Sequence, residues 1–281
     1  MISSMNGSSS IVMNTALQPL LPDLQPAADF TMSRAAEPPA VLRARLAADG
    51  YLFLPGLLDS APLLRARADI LGLCRDAGWL DPAQPFIDGI AGTTRICEGD
   101  EAYKPVYRQV VRLPSFNACA VAPKLMSVLR ALFDGEPFAH PRNIARIAFP
   151  GHQATQPHQD YHYIRGTTET YTCWIPTADV PNDLGGLAVL PGSHRRGFLP
   201  HQRTTGAGGM GVDANGLGTW TSGEFRLGDV LLFHSHTIHG ARPHRDPRRI
   251  RLSFDFRYQR PADAIDPSSL CYHMEDQHRP A

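Results

Sequence analysis

The stretch QPHQDYHYIRG, Gln156 to Gly166, packs two histidines, an aspartate and two tyrosines into eleven residues. If it enters or leaves a β-strand, side chains alternate between faces, so His158 and Asp160 point the same way and Gln159 points opposite. An imidazole and a carboxylate side by side can hold one metal ion, but they need a third ligand. A second histidine-rich stretch, LLFHSHTIHG, offers His234, His236 and His239. Two histidines and one carboxylate on one face of an ion suit non-haem Fe(II), because the remaining positions stay open for a co-substrate and O₂. An isolated His-x-Asp is more often a solvated strand edge than a ligand pair, so the partners decide.

A further segment could bind an anion. In RRIRLSFDFRYQ the residues Ile250, Leu252, Phe254, Phe256 and Tyr258 are apolar, and Arg249, Arg251, Ser253, Asp255 and Arg257 are polar. This alternation predicts a strand with one polar face. A guanidinium is the best two-pronged partner for a carboxylate, and a hydroxyl two residues on shares its face.

The elements that must position these groups change character along the chain. Residues 1–36 are rich in Ser, Pro and small side chains without a sustained period, and are expected to be a disordered arm. Residues 37–281 are expected to form a single domain. PAVLRARLAADG predicts a short helix ended by Gly50, and YLFL a buried strand. Ser60 is expected to cap a helix over APLLRARADILGLCRDAGWL, and APKLMSVLRALFDG predicts a third. Beyond Pro141, short apolar runs alternate with Pro, Gly, Asn and Asp turns: NIARIAFPG, YTCWIPTADV, LAVLPGS, GDVLLFHSH and IRLSFDFRYQ. Helices followed by short strands at this spacing predict an α+β fold, mainly β, with an antiparallel jelly roll.

Composition narrows the partners. Lys+Arg and Asp+Glu balance at 27 each, which argues against nucleic acid or an anionic membrane as the main partner. Five scattered cysteines without a Cys-x-x-Cys pair suit a reducing compartment, and a cytoplasmic location is expected. GAGGMG, Gly206 to Gly211, satisfies the dinucleotide-binding pattern letter for letter. No strand is expected before it and no helix after it, so a pyrophosphate would have no helix N-terminus to rest on. Its glycines indicate a loop that could cover a site.

From about Asn143 to Gln259 the sequence resembles the phytanoyl-CoA dioxygenase family of Fe(II)/2-oxoglutarate-dependent oxygenases. The resemblance is carried in order by HQD at His158–Asp160, TCWIPTADVPNDLGGLAVLPGSHRRG, GDVLLFHSHTIHG and RIRLSFDFRYQ. It implies a double-stranded β-helix with the helices packed outside. It also implies Fe(II) held by His158, Asp160 and His239, with His239 preferred because Gly240 follows it. Arg251 with Ser253 is similar to the family's clamp for the distal carboxylate of 2-oxoglutarate, with Arg249 as the alternative and Asn143 as a further candidate contact. Fe(II), 2-oxoglutarate and O₂ are thus the expected cofactors and co-substrates, and Arg251 joins the triad as a catalytic candidate. The resemblance implies hydroxylation of an unactivated C–H bond in a small molecule of secondary metabolism, with release of succinate and CO₂. Because Asp160 is present, no ligand position is vacated for a halide. Tyr161, Tyr163 and Trp174 are candidate substrate contacts, although Trp174 equally suits a core. Two other classes compete: a jelly-roll binding protein without catalysis, and a Zn hydrolase on the same ligands. The intact residues disfavour the first, and the absence of a dedicated general base disfavours the second.

Overall fold

A computed structural model describes residues 26–275. Its elements run in chain order as α1 (Pro39–Asp49), β1 (Tyr51–Leu54), α2 (Ser60–Asp76), α3 (Tyr103–Val110), α4 (Pro114–Ala120), α5 (Pro123–Phe133), β2 (Phe138–Ala139), β3 (Ile144–Ala148), α6 (Tyr161–Ile164), β4 (Tyr171–Pro176), β5 (Leu187–Val189), β6 (Gln202–Arg203), β7 (Met210–Gly211), β8 (Thr221–Ser222), β9 (Val230–His234), β10 (His239–Ala241) and β11 (Arg251–Gln259). The large sheet has the order β1-β9-β4-β11-β2, with β3 also paired to β11; the small one has β10-β5-β8; β6 and β7 form a hairpin. All these pairings are antiparallel. The result is an α+β fold built on two antiparallel sheets.

The alternation in β11 sets the layers. Leu252, Phe254, Phe256 and Tyr258 join Leu52, Leu54, Leu232, Cys173 and Ile175 on the outer face, in one core with helices α1 to α5. Phe116 of α4 meets Phe254 edge-on at 4.8 Å. Each buried aromatic contributes about 1.5–3 kcal/mol, so the helical layer is fixed to the sheet by the apolar half of this strand. Tyr51, Phe53, Trp174, Leu231 and Phe233 face the other way, packing with Leu187, Val189 and Ala241 of the small sheet. The polar half of β11 lies on this inner side, where Ser253, Asp255 and Arg257 stand opposite Pro176, Trp174 and Thr172.

Several expectations about local structure need correction. Asp59, not Ser60, is the N-cap of α2, and no side chain caps it; the Asp59 carboxylate instead bonds Lys124 Nζ at 2.5 Å. Helices α3 and α4 lie outside the expected elements, because at 8 and 7 residues they are too short to display a period. The expected arm lies outside the described residues up to residue 25, but beyond Pro26 the chain is anchored to the domain through buried Phe30 and Ser33. Ala27 and Ser33 donate backbone hydrogen bonds to Trp220 (3.0 Å) and Phe53 (2.7 Å), at the small and large sheets respectively. Phe30 stacks on Phe53 with centroids 4.9 Å apart and meets Phe225 at 5.4 Å. One apolar side chain suffices to fix a short segment, and one does not create a period. A chain starting at residue 37 should therefore lose about 3–5 kcal/mol, as expected for emptying a phenylalanine site. Its melting temperature should fall by roughly 6–20 °C, and Phe30→Ala in the full chain should reproduce most of the drop. An unchanged melting temperature would mean the segment contributes nothing.

Candidate metal centre

The crossing between the sheets creates the site. Strand β9 ends in the large sheet at His234, and β10 begins in the small sheet at His239. The turn between them is tied down at Gly50, whose carbonyl accepts from His234 N–H (3.0 Å) and from the Thr237 hydroxyl (2.8 Å). Gly50 ends α1 at φ 77°, and a Cβ there would lie 2.4 Å from His194 Nδ1, so both conformation and space require glycine.

His158 extends the small sheet by one residue. Its N–H donates to His239 O (2.9 Å), and His239 N–H returns a bond to His158 O (3.1 Å). The rings consequently lie side by side, with centroids 4.2 Å apart. Each Nδ1 lies beside the carbonyl two residues earlier: Gln156 O at 2.8 Å and Thr237 O at 3.0 Å. A carbonyl only accepts, so each Nδ1 carries the proton and each Nε2 lone pair is free. The free Nε2 atoms lie 3.7 Å (His158) and 3.9 Å (His239) from Asp160 Oδ1. Metal–ligand bonds of about 2.0–2.2 Å let one ion touch atoms so spaced. All three ligand atoms lie within 4.8 Å of one another, and all three residues are buried.

Asp160 does not continue a strand. Its φ of −59° and ψ of −29° start the single turn of α6, which swings the carboxylate toward the large sheet. There Oδ2 accepts from Thr172 Oγ1 at 2.5 Å, and Oδ1 lies 3.4 Å from an Arg257 nitrogen. Burial alone would raise this carboxyl, but the Arg257 guanidinium outweighs it and holds it well below the usual range. Gln159 points away, donating to Gly197 O and His236 O at 2.8 Å each. His234 and His236 stay out of the cluster: His234 Nε2 is 3.5 Å from Glu169, and its Nδ1 accepts from His236 N–H at 3.0 Å.

Arg251 opens β11 on the inner face, buried, with Nη1 donating to Ser253 Oγ at 3.0 Å. Its guanidinium lies over the Trp174 ring at 5.9 Å, and its Nε has no partner among the described residues. The neighbouring carboxylates are engaged elsewhere: Arg146 binds Asp255 (3.0 Å) and Glu98 (3.2 Å). Burial pulls the Arg251 group down to about 10, which still leaves it charged at neutral pH. A buried cation with an orphaned N–H and no carboxylate of its own suits an incoming carboxylate. Arg249 is placed differently, outside β11, with its Nε on Asp246 at 2.5 Å and its Nη2 3.6 Å from Asp183. Asn143 is also placed elsewhere: just before β3, it donates to Asn117 Oδ1 of α4 at 2.9 Å, on the helical side of the sheet. Strand parity explains this, since Ile144 and Arg146 pair with Asp255 and Ser253 on the inner face and Asn143 has the opposite parity. Trp174 is core, 1% exposed, with the Arg251 guanidinium over its ring. Tyr163 stands edge-on to His158 at 5.8 Å, and Tyr161 packs on His236 and Phe198.

A short strand, β6, does precede GAGGMG, contrary to expectation, and the segment spans the tip and second strand of the β6–β7 hairpin; turns and β8 follow it rather than a helix. Gly206 (φ 86°) lies against Ala154 O and Gly208 (φ 84°) against the Tyr163 hydroxyl, where a Cβ would come within 2.4 and 2.6 Å. These glycines let the hairpin lie close against Ala154 and Tyr163.

Buried histidines give the fold an acid limit. Burial pulls His140 and His244 to about 4 and His239 to about 3, from an ordinary 6.5. Their folded values lie below their unfolded ones, so the unfolded chain takes up protons first as pH falls. Stability should be fully present above pH 6.5 and be lost progressively toward pH 4. A melting temperature that stays flat across that window would contradict the buried neutral imidazoles.

The phytanoyl-CoA dioxygenase (PhyH) family model matches residues 46–252. The chain is 29% identical over 224 residues to 1-deoxypentalenic acid 11-beta-hydroxylase of Streptomyces exfoliatus, covering 75% of this chain and 77% of that one. It is 21% identical over 219 residues to peroxisomal phytanoyl-CoA dioxygenase of Homo sapiens, covering 69% and 60%. Among solved structures it shares a fold with the epimerase SnoN in complex with Fe³⁺, alpha ketoglutarate and nogalamycin RO (TM-score 0.59, 21% identity, 82% and 86% covered). It also shares one with the carbocyclase SnoK (TM-score 0.59, 18% identity, 85% and 90% covered). A family match across most of the chain, on a fold that gathers His158, Asp160 and His239 around one point, leads to one conclusion: the chain belongs to the phytanoyl-CoA dioxygenase family, and is an oxygenase that uses iron and 2-oxoglutarate.

Proposed function

We propose that the protein hydroxylates an unactivated C–H bond of a small, mainly apolar molecule, and that its two sheets are the halves of a double-stranded β-helix. The observation that carries this reading is a pre-oriented His158–Asp160–His239 group on the same inner face as a buried arginine that lacks a counter-ion. Iron and 2-oxoglutarate would supply the oxidising chemistry, with O₂ consumed, succinate and CO₂ released, and one oxygen atom passed to the substrate.

The chain's own residues do the positioning. The carbonyls of Gln156 and Thr237 fix both imidazoles in the tautomer that leaves Nε2 free. Thr172 and Arg257 aim the Asp160 carboxylate and keep it ionised. Arg251 and Ser253 would hold the distal carboxylate of 2-oxoglutarate, while Trp174 packs beside the guanidinium and keeps it dry. The Streptomyces exfoliatus relative, whose name makes it a hydroxylase of 1-deoxypentalenic acid, supports the small-molecule reading.

The test is a metal series. Succinate formation from 2-oxoglutarate should require Fe(II) and oxygen and should not be supported by Zn(II). Hydrolysis supported by Zn(II) without succinate would replace this reading with a hydrolase. No succinate with any metal would leave a binding protein.

A further inference from the structure

Beside the space in front of Arg251 opens a cavity of 640 Å³, walled by residues 95–99, 149–153 and 206–208 together with His273 and Met274. It lies one residue away from the metal centre, separated from His158 by Tyr163. It shares Glu98, His152, Gln153 and Ala207 with the narrower space around Arg251, and Gly208 abuts Tyr163, which stands edge-on to His158. Its volume suits a drug-sized organic molecule.

The charged groups that line this cavity differ in their partners. Glu98 is held by Arg146, with contacts of 3.2 and 3.3 Å to its two oxygens. Burial lowers both His152 and His273 from their ordinary values, so neither carries charge at neutral pH. Arg95 is different. It is exposed, no described residue bonds or pairs with its guanidinium, and that group lies 3.7 Å from the place of a Cβ on Gly151, on the opposite wall. Ile96 and Phe149, both buried, and Met274 supply apolar wall. The cavity therefore combines apolar lining with one unpaired guanidinium at its rim.

We propose that the substrate is an apolar carboxylic acid whose carboxylate is gripped by Arg95 at the cavity rim, which presents the apolar body to the metal centre. This rests on the oxygenase reading above. A planar guanidinium matches a carboxylate in two-pronged geometry. A CoA thioester, with several phosphate charges, would need several free cations, and the cavity offers one. Oxidation should accordingly fall on a carbon remote from the carboxyl group.

The test is binding by calorimetry to the full chain under argon, with Fe(II) and 2-oxoglutarate present so that no turnover competes. The probes are dodecanoate and abietate, each compared with the alcohol of the same skeleton. At least one acid should bind roughly 10- to 100-fold more tightly than its alcohol, the range of a charge-assisted contact. Arg95→Gln should abolish that preference while changing alcohol affinity less than twofold, and Arg95→Lys should restore part of it. Because Arg95 is exposed, these variants should melt like the parent. No acid preference in the whole panel, or a preference that survives Arg95→Gln, would overturn the proposal. Acid preference in a protein that retains no iron and makes no succinate would instead overturn the oxygenase reading and leave the acid-binding cavity standing.

Discussion

Asp160→Ala is expected to abolish iron retention and turnover and, separately, to destabilise the metal-free fold by about 3–5 kcal/mol, the cost of leaving a buried charge without its partner. The partner is Arg257, whose side chain is 3% exposed and whose Nε already lacks a hydrogen-bond partner. The Asp160 carboxylate at 3.4 Å is the anion that balances it. His158→Ala and His239→Ala should lose iron equally well but remove no charge, so their metal-free forms should unfold closer to the parent. Denaturant titration of the three variants with chelator present, alongside iron measured after gel filtration, separates the two effects. If metal-free Asp160→Ala unfolds like the parent, Arg257 is balanced by something other than Asp160.

Arg251→Ala should show the reverse pattern. A charge-assisted, two-pronged contact to a carboxylate is worth roughly 2–4 kcal/mol, so KM for 2-oxoglutarate should rise about 30- to 1000-fold. Iron retention should hardly change, because the ligands lie on other segments. The metal-free protein should not be destabilised as Asp160→Ala is, since Arg251 has no carboxylate contact to lose and its burial opposes its charge. Lysine should restore only part of the affinity, because a point charge cannot reproduce the fork. Arg249→Ala should matter little, with its guanidinium committed to Asp246 at the surface. If neither arginine affects 2-oxoglutarate, the clamp lies elsewhere.

The parts of this site that were legible in the sequence are those set by local periodicity. The alternation of β11 by itself places Arg251, Ser253, Asp255 and Arg257 on one face, and the structure puts them there. The two histidine-rich stretches supplied the three residues that meet. Three things could not be read locally. Asp160 sits on a helical turn, not a strand, because its direction is set by Thr172 and Arg257 from strands far along the chain. Glu98 and Arg146, which hold the charge balance beside Arg251, come from a loop and a short strand whose polar residues look like ordinary surface. The carbonyls of Gln156 and Thr237 belong to the backbone, which has no letter in the sequence. Arg257 carried a faint signal, a charge on a strand that is otherwise apolar on alternate positions, but nothing in the sequence tied it to Asp160.

The ligands are divided between the sheets. His158 and His239 belong to the small sheet, while Asp160 is held by Thr172 of β4 and Arg257 of β11 in the large one. An ion bound by all three would act as a rivet through the sandwich, so that part of its binding energy becomes resistance to unfolding. At a hundredfold excess over its dissociation constant such an ion adds about 2.7 kcal/mol. Chelation should then do more than silence the enzyme: it should loosen the seam between the sheets, and amide exchange along β10 and the neighbouring end of β4 should quicken together.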